Sequence, residues 1–343
     1  DGGGERTSIS PLLAAFVPQS SAAPTSHSLR TLVHAARTEE WTCDTPVATS
    51  AGQHRRTVTT AALRDQSSCP FRAFAVHRLG ADSLARPADE LTAAERGTLV
   101  HAALELSWGA LSDSSTLASL APDTRAAHLE WAAERALLRC GRRLRGRHRE
   151  AERRRLIGVL DCWLEVEATR PAFTVVAREH EAEVTLADLT VRLKIDRIDR
   201  LPDGRHVVLD YKTAPASPRD WWSPRPRDPQ LLVYAQVRDE RLPDVDALAF
   251  GIVRARACGF RGLAADDDLL PDVATPANDR MARAYGVTDW AALRASWSAT
   301  LERLATDFAS GVATIDPLPS ACTHCHLTAF CRRHEHDTRA ALA

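Results

Sequence analysis

Lysine is almost missing from this chain. Of its 44 Lys and Arg side chains, only Lys194 and Lys212 are lysine, and they fall within one short stretch. Methionine occurs once, at Met281; with Asp1 as first residue, the chain is expected to be a piece of a longer polypeptide. No apolar run reaches the roughly 18 residues a membrane span needs, and no signal-peptide pattern is present, so no membrane association is expected. Charge of one sign is also lacking. At a net −1 no global field draws the chain to nucleic acid, and any such affinity must come from local patches. The eight cysteines are too few for a disulfide-stapled secreted module, and three crowd into 322–331. That clustering favours a metal or cluster site in a reducing compartment, by default the cytoplasm.

What is present is an ordinary globular composition, 44% hydrophobic and 26% charged over 343 residues, enough for one large or two ordinary domains. Residues 1–58 lack periodicity and include the Ser/Ala/Pro-rich stretch "PQSSAAPTSHS", so they read as a linker or the tail of an upstream domain. From 59 to 343 the patterns are those of one domain. A helix is expected over 91–108, with Thr92 and Glu95 as a capping box. Residues 123–168 read as helical throughout and carry nine arginines between 139 and 155, including Arg142, Arg143, Arg145 and Arg147. These form either a solvated helix face or a phosphate-contacting surface. Alternation begins at 173 and marks three strands; a helix over 228–240 follows, with Asp228 as N-cap and Pro229 at its first position. "LAFGIVRA" is another strand, and a long amphipathic helix over 288–311 stops at Gly311. The order implies an α/β domain with a mixed sheet and a large helical insertion.

The stretch "VRLKIDRIDRLPDGRHVVLDYKTAP" carries the chemistry. A three-residue turn at Pro202-Asp203-Gly204 would set Asp196 opposite Asp210 and Lys194 opposite Lys212. Directly opposed side chains lie roughly 4.5–5.5 Å apart at Cβ. Two carboxylates at about 5 Å repel by roughly 3 kcal/mol at an effective dielectric near 20. A shared proton, an arginine or a divalent cation could offset this, and hard oxygen ligands suit Mg²⁺ or Mn²⁺. A solvated acidic hairpin is the competing reading. The retained lysine argues for the cation site, because an ammonium is a compact point charge that a guanidinium cannot imitate. Near the C-terminus, Cys322, Cys325 and Cys331 supply three soft ligands, and a fourth could be His324, His326 or the distant Cys69. Cys43, Cys140, Cys162 and Cys258 fit no ligand spacing.

Taken in order, "GTLVH" (97–101), "KIDRID", "VVLDYKT" and "QLLVYA" (230–235) resemble the PD-(D/E)xK nuclease domain of the RecB/AddB family, over roughly 60–335. The resemblance implies a restriction-endonuclease-like core with a mixed central sheet flanked by helices. It makes Asp196 and Asp210 the Mg²⁺ or Mn²⁺ carboxylates, with His101 and the Tyr211 backbone carbonyl as further ligands. Lys212 becomes the catalytic lysine, and Gln230 and Tyr234 belong to a helix bordering the active site and the DNA strand. It further implies a [4Fe–4S] cluster held by Cys69, Cys322, Cys325 and Cys331. The function implied is a metal-dependent deoxyribonuclease, exonuclease before endonuclease. It would act on single-stranded DNA or DNA ends in break repair with a helicase subunit or an upstream helicase-like domain. A catalytically silent DNA-end-binding module and a zinc-stabilised interaction domain are the alternatives.

Overall fold

The computed structural model describes residues 57–83, 91–141 and 143–333, together with Ala35. The chain divides after Ala48 into two compact units, and the fold described below belongs to the second. The tail expected over 1–58 lies outside the described residues except for Ala35, Thr57 and Val58, the last two of which already pair in the sheet. Among the described residues no helix is long and apolar enough to cross a membrane.

A mixed sheet organises the domain. Its strands are β1 (Thr57–Thr59), β2 (Thr174–Leu186), β3 (Leu189–Arg200), β4 (His206–Lys212), β5 (Ala247–Ile252) and β6 (Gly259–Ala264). β2 runs antiparallel along the whole of β3, from Leu186 opposite Leu189 at a tight turn to Thr174 opposite Arg200. The other edge of β3 is shared. β1 pairs in parallel with Thr190–Arg192, and β4 pairs antiparallel with Arg197–Arg200. β4 then lies parallel to β5, which pairs antiparallel with β6. A parallel pair demands a crossover of a dozen or more residues, and the chain between β4 and β5 supplies it.

Helices cover both faces. On one side α3 (Ala93–Leu111), α5 (Pro122–Cys140) and α6 (Gly146–Glu167) pack Trp108, Leu137 and Trp163 against Val207, Leu209 and Tyr211. Ahead of them lie α1 (Thr60–Ser68) and α2 (Pro70–His77), and a short α4 (Ser114–Ala118) falls between α3 and α5. The opposite face packs Val208, Leu248 and Phe250 against α1, the 3₁₀ turn Pro218–Trp222, α7 (Gln230–Tyr234) and α9 (Trp290–Ser310). The remaining helices are α8 (Arg280–Ala284) and α10 (Thr328–Cys331). Because both faces are covered, β4 and β5 are buried along almost their whole length and read as near-continuous apolar runs. The α/β class and mixed sheet are as the sequence implied.

The capping box holds: Thr92 Oγ1 accepts from the Glu95 amide, and Glu95 accepts from the Thr92 amide at 2.8 Å. Gly311 ends α9 in the left-handed region, at φ +80°. Two expectations need correction. The stretch 123–168 is not one helix, because it breaks at Gly141 and restarts at Gly146, whose φ is +48°. The helix expected over 228–240 is only Gln230–Tyr234, with Pro229 rather than Asp228 in the capping position. Farther on, the Asp239 carboxylate accepts from the amides of Arg241 and Leu242 and closes a separate turn inside the span expected to be helical.

Candidate active site

The turn at 202–204 forms as its residues suggest. Leu201 donates to the Arg205 carbonyl at 2.9 Å, and Gly204 adopts φ +94°, which a Cβ would strain. The resulting register sets Arg197 opposite Leu209 and Arg200 opposite His206. It does not continue to Asp196 and Asp210, nor to Lys194 and Lys212. At that point the Asp196 carboxylate takes the place of a backbone acceptor, receiving the Tyr211 N–H at 2.7 Å. β3 therefore carries a gap on one edge, Leu193–Asp196, between the end of β1 and the C-terminal half of β4. Asp196 lies in it.

Asp210 is 1% exposed and ion-paired to Lys212 Nζ at 2.7 Å. Burial, and then the charge of Asp196, push its carboxyl up to about 7, with Lys212 opposing. α3 delivers His101, with Nδ1 3.3 Å from Asp196 Oδ1 and Nε2 donating to the Tyr211 carbonyl at 3.0 Å. Burial works against the imidazolium, but Asp196, Asp210 and Glu179 outweigh it and raise His101 to about 9.

Glu179 is the residue that sequence reasoning missed. It sits on β2 between Arg178 and His180, which pair with Arg197 and Ile195, so it lies across from Asp196. Its φ of +46° is uncommon for a side-chain-bearing residue and turns its carboxylate toward the gap. Ligand atoms of His101, Glu179 and Asp196 lie within 4.8 Å of one another. Glu179 also explains Lys194, which ion-pairs with it instead of facing Lys212. The signal that could have revealed Glu179 is the β2–β3 register, counted back from the turn at Ala187-Asp188.

Lys212 has two further acceptors, Asp228 Oδ2 and Gln230 Oε1, each at 3.1 Å. Burial disfavours its ammonium, yet Asp210 and Asp228 hold it above the ordinary lysine value. Gln230 Nε2 donates to the Tyr234 hydroxyl, which donates onward to the Lys194 carbonyl at 2.6 Å. The two residues of α7 thus connect the lysine to the unpaired edge of β3. They also line an open cleft of about 860 Å³ with Thr59, Arg192 and Lys194. A second cleft, about 360 Å³, opens on the other side of Asp196 beside His101 and Glu179.

Behind the site, Arg197 is 1% exposed and stacked on the Trp108 ring, its Cζ 3.9 Å from the ring centroid. It makes a bidentate contact with Asp199 at 2.6 and 2.8 Å, reaches Glu167 at 2.7 Å, and donates to the Tyr211 hydroxyl at 3.2 Å. Arg170 completes a buried quartet by bridging Glu167 and Asp199. One guanidinium therefore touches α3, β3 and β4, the elements that carry His101, Asp196 and Asp210.

Away from the gap, Cys69, Cys322, Cys325 and Cys331 line one small cavity. His326 is turned elsewhere, its Nε2 2.8 Å from the Ala81 carbonyl. Within the arginine run, Arg143 pairs with Glu95, Arg149 with Glu134, Arg153 and Arg154 with Glu150, and Arg155 with Glu152. Arg145 donates to the Leu144 carbonyl, and Arg147 lies at the exposed start of α6. Much of that charge is matched within the helices. Arg142 and Cys43 lie outside the described residues.

A family model of the PD-(D/E)XK nuclease superfamily matches residues 57–332. The chain belongs to that superfamily. Members of the superfamily use divalent metals, and the donors here fit one. Hard oxygens dominate, one imidazole joins them, and the His101 Nε2 to Tyr211 oxygen spacing of 3.0 Å suits neighbouring ligands each about 2.1 Å from an octahedral ion. Among solved structures the fold is similar to a candidate exonuclease from Eubacterium rectale, at 10% identity and a TM-score of 0.39, over 87% of this chain and 94% of that one. So distant a likeness carries no weight in the assignment. No curated protein matches the sequence significantly.

Proposed function

We propose that this PD-(D/E)XK domain is a Mg²⁺- or Mn²⁺-dependent deoxyribonuclease, exonucleolytic and paired with a helicase in the processing of DNA breaks. The observation that carries the reading is geometric: ligand atoms of His101, Glu179 and Asp196 lie within 4.8 Å of one another, with the buried Asp210 carboxylate beside them. Asp196, Asp210, the Tyr211 carbonyl and His101 would hold that ion, with Glu179 in reach. When bound, it would supply Lewis-acid charge at the scissile phosphate and acidify water. The chain's own contribution is to place Lys212 beside Asp210. Held as an ammonium by two carboxylates, Lys212 serves as a charged donor to the phosphate oxygens and not as a base. Gln230 and Tyr234 orient it.

A [4Fe–4S] cluster is the second part of the proposal. Four cysteines from opposite ends of the domain around one cavity fit a four-thiolate ligand set. The turned-away His326 disfavours it as a zinc ligand in their place. Cleavage of end-labelled single- and double-stranded DNA with Mg²⁺ or Mn²⁺ tests the activity, with Asp210→Asn as the inactive control. Products released one nucleotide at a time from the end support the exonuclease; cleavage by neither metal overturns the reading.

A further inference from the structure

Asp228 faces in two directions. Its Oδ1 lies 3.4 Å from the Gln230 amide at the start of α7, and its Oδ2 lies 3.1 Å from Lys212 Nζ. Pro229 follows it and biases the Asp228 backbone toward extended conformations. With Asp210 Oδ2 at 2.7 Å and Gln230 Oε1 at 3.1 Å, the Lys212 ammonium has three oxygens around it, two carboxylates as ion pairs and the Gln230 amide as a hydrogen-bond acceptor. Two of the three are carboxylates, and they differ in setting. The Asp210 side chain is 1% exposed and belongs to the gap; that of Asp228 is 32% exposed and lies outside it.

The contact with Asp210 creates a conflict. An ammonium resting on that carboxylate occupies an oxygen that a cation would need, so lysine and metal compete for one ligand. Yet both are required at the site. We infer that Asp228 is a positioning residue that draws the Lys212 ammonium off Asp210, leaving Asp210 open to a divalent cation while the lysine stays beside it. The inference rests on Asp196 and Asp210 being the cation's carboxylates.

Removing the charge of Asp228 leaves Lys212 one carboxylate partner, and the cation must then displace it. Asp228→Asn and Asp228→Ser both keep a side-chain acceptor for the Gln230 amide, so the start of α7 is preserved. Each should weaken Mn²⁺ binding by about tenfold, read by calorimetry without DNA, with an unchanged melting temperature. A double-mutant cycle separates positioning from plain attraction between Asp228 and the metal. In a Lys212→Met background there is no ammonium to draw away, and Asp228→Asn should change Mn²⁺ affinity less than twofold. An equal tenfold loss in that background would show Asp228 acting as a remote charge and overturn the inference, as would wild-type affinity in the single variant. Undiminished Mn²⁺ binding in Asp210→Asn would be a different failure, removing the metal reading on which this inference stands.

Discussion

Glu179 lies across β2 and β3 from Asp196, on a backbone bent into the left-handed region at φ +46°. Such a conformation costs on the order of 1–3 kcal/mol and persists only where the surroundings hold it. Here the cost places a third carboxylate within reach of His101 and Asp196. Glu179→Gly should therefore relieve strain and lose function together. The expected result is a melting temperature at or above wild type, with Mn²⁺ affinity down by about tenfold. A stable variant that binds Mn²⁺ normally would remove Glu179 from the site.

Asp210→Asn should abolish cleavage and yet stabilise the metal-free protein. The substitution keeps the shape and removes a charge that burial and Asp196 both oppose. Thermal melts in chelator at pH 8 should rise for this variant. Lys212→Arg should melt like wild type but cleave at a small fraction of its rate, because a planar guanidinium does not reproduce the ammonium's three contacts.

Protons and metal should exclude each other. His101 and Asp210 are both raised, to about 9 and about 7, above the values they would have unfolded. Raised groups keep protons in the fold that the unfolded chain has lost. For His101 the stabilisation is complete below the ordinary histidine value and disappears as pH climbs through about 9. For Asp210 the fold is favoured while the carboxyl is protonated, and that advantage declines from the ordinary carboxylate value up to about 7. Metal-free stability should thus fall from pH 5 to pH 9, while Mn²⁺ affinity rises over the same interval as these protons are displaced. Calorimetry in buffers of different ionisation enthalpy will count the released protons; flat affinity across the range would contradict both shifts.

Arg197 should not tolerate lysine. Removing one member of a buried hydrogen-bonded charge set typically costs about 3–5 kcal/mol, and lysine cannot span Asp199, Glu167 and Tyr211 at once. Tyr211→Phe removes only the hydroxyl contact. It should lose roughly 1 kcal/mol and keep most activity, since the proposed ligand is the backbone carbonyl. Denaturant titrations of the two variants give the comparison.

Cys69→Ala should lose iron from anaerobically purified protein as completely as Cys325→Ala does, whereas Cys162→Ala should keep it. Cys69 lines the same cavity as the C-terminal cysteines, and Cys162 does not. Equal iron in the Cys69 and Cys162 variants would exclude Cys69 as a ligand.

Much of the frame around the candidate site was legible because its determinants are local. The Pro-Asp-Gly turn has one favoured geometry, and the register counted outward from it holds as far as Arg197 opposite Leu209, one residue short of Asp196 and Asp210. The capping box at Thr92 and the stop at Gly311 are short-range devices of the same kind. Glu179 was hidden for the opposite reason. The β2–β3 turn is Ala187-Asp188, with Ala187 at φ +48°, and alanine carries none of the signal that Asn-Gly would at such a turn. Without that register nothing in "REHEAEV" singles out one glutamate. The expected end of α7 failed in part because the Asp239 turn lies inside the span, and apolar periodicity does not register such a turn. Lys194 could not be understood until its partner Glu179 was in view.

The shared edge of β3 has a mechanical consequence. β1 and β4 meet that edge end to end like two planks lapped on a third, and the carboxylates sit at the open seam. A pull on the chain ahead of Thr57 loads only three parallel residue pairs before it reaches the strand bearing Asp196. A pull from the β6 side must first work through two ladders of six pairs each and one of four. Tension at the N-terminal end would shear β1 along β3 and alter the width of the seam, so the site feels a load there before the rest of the sheet does.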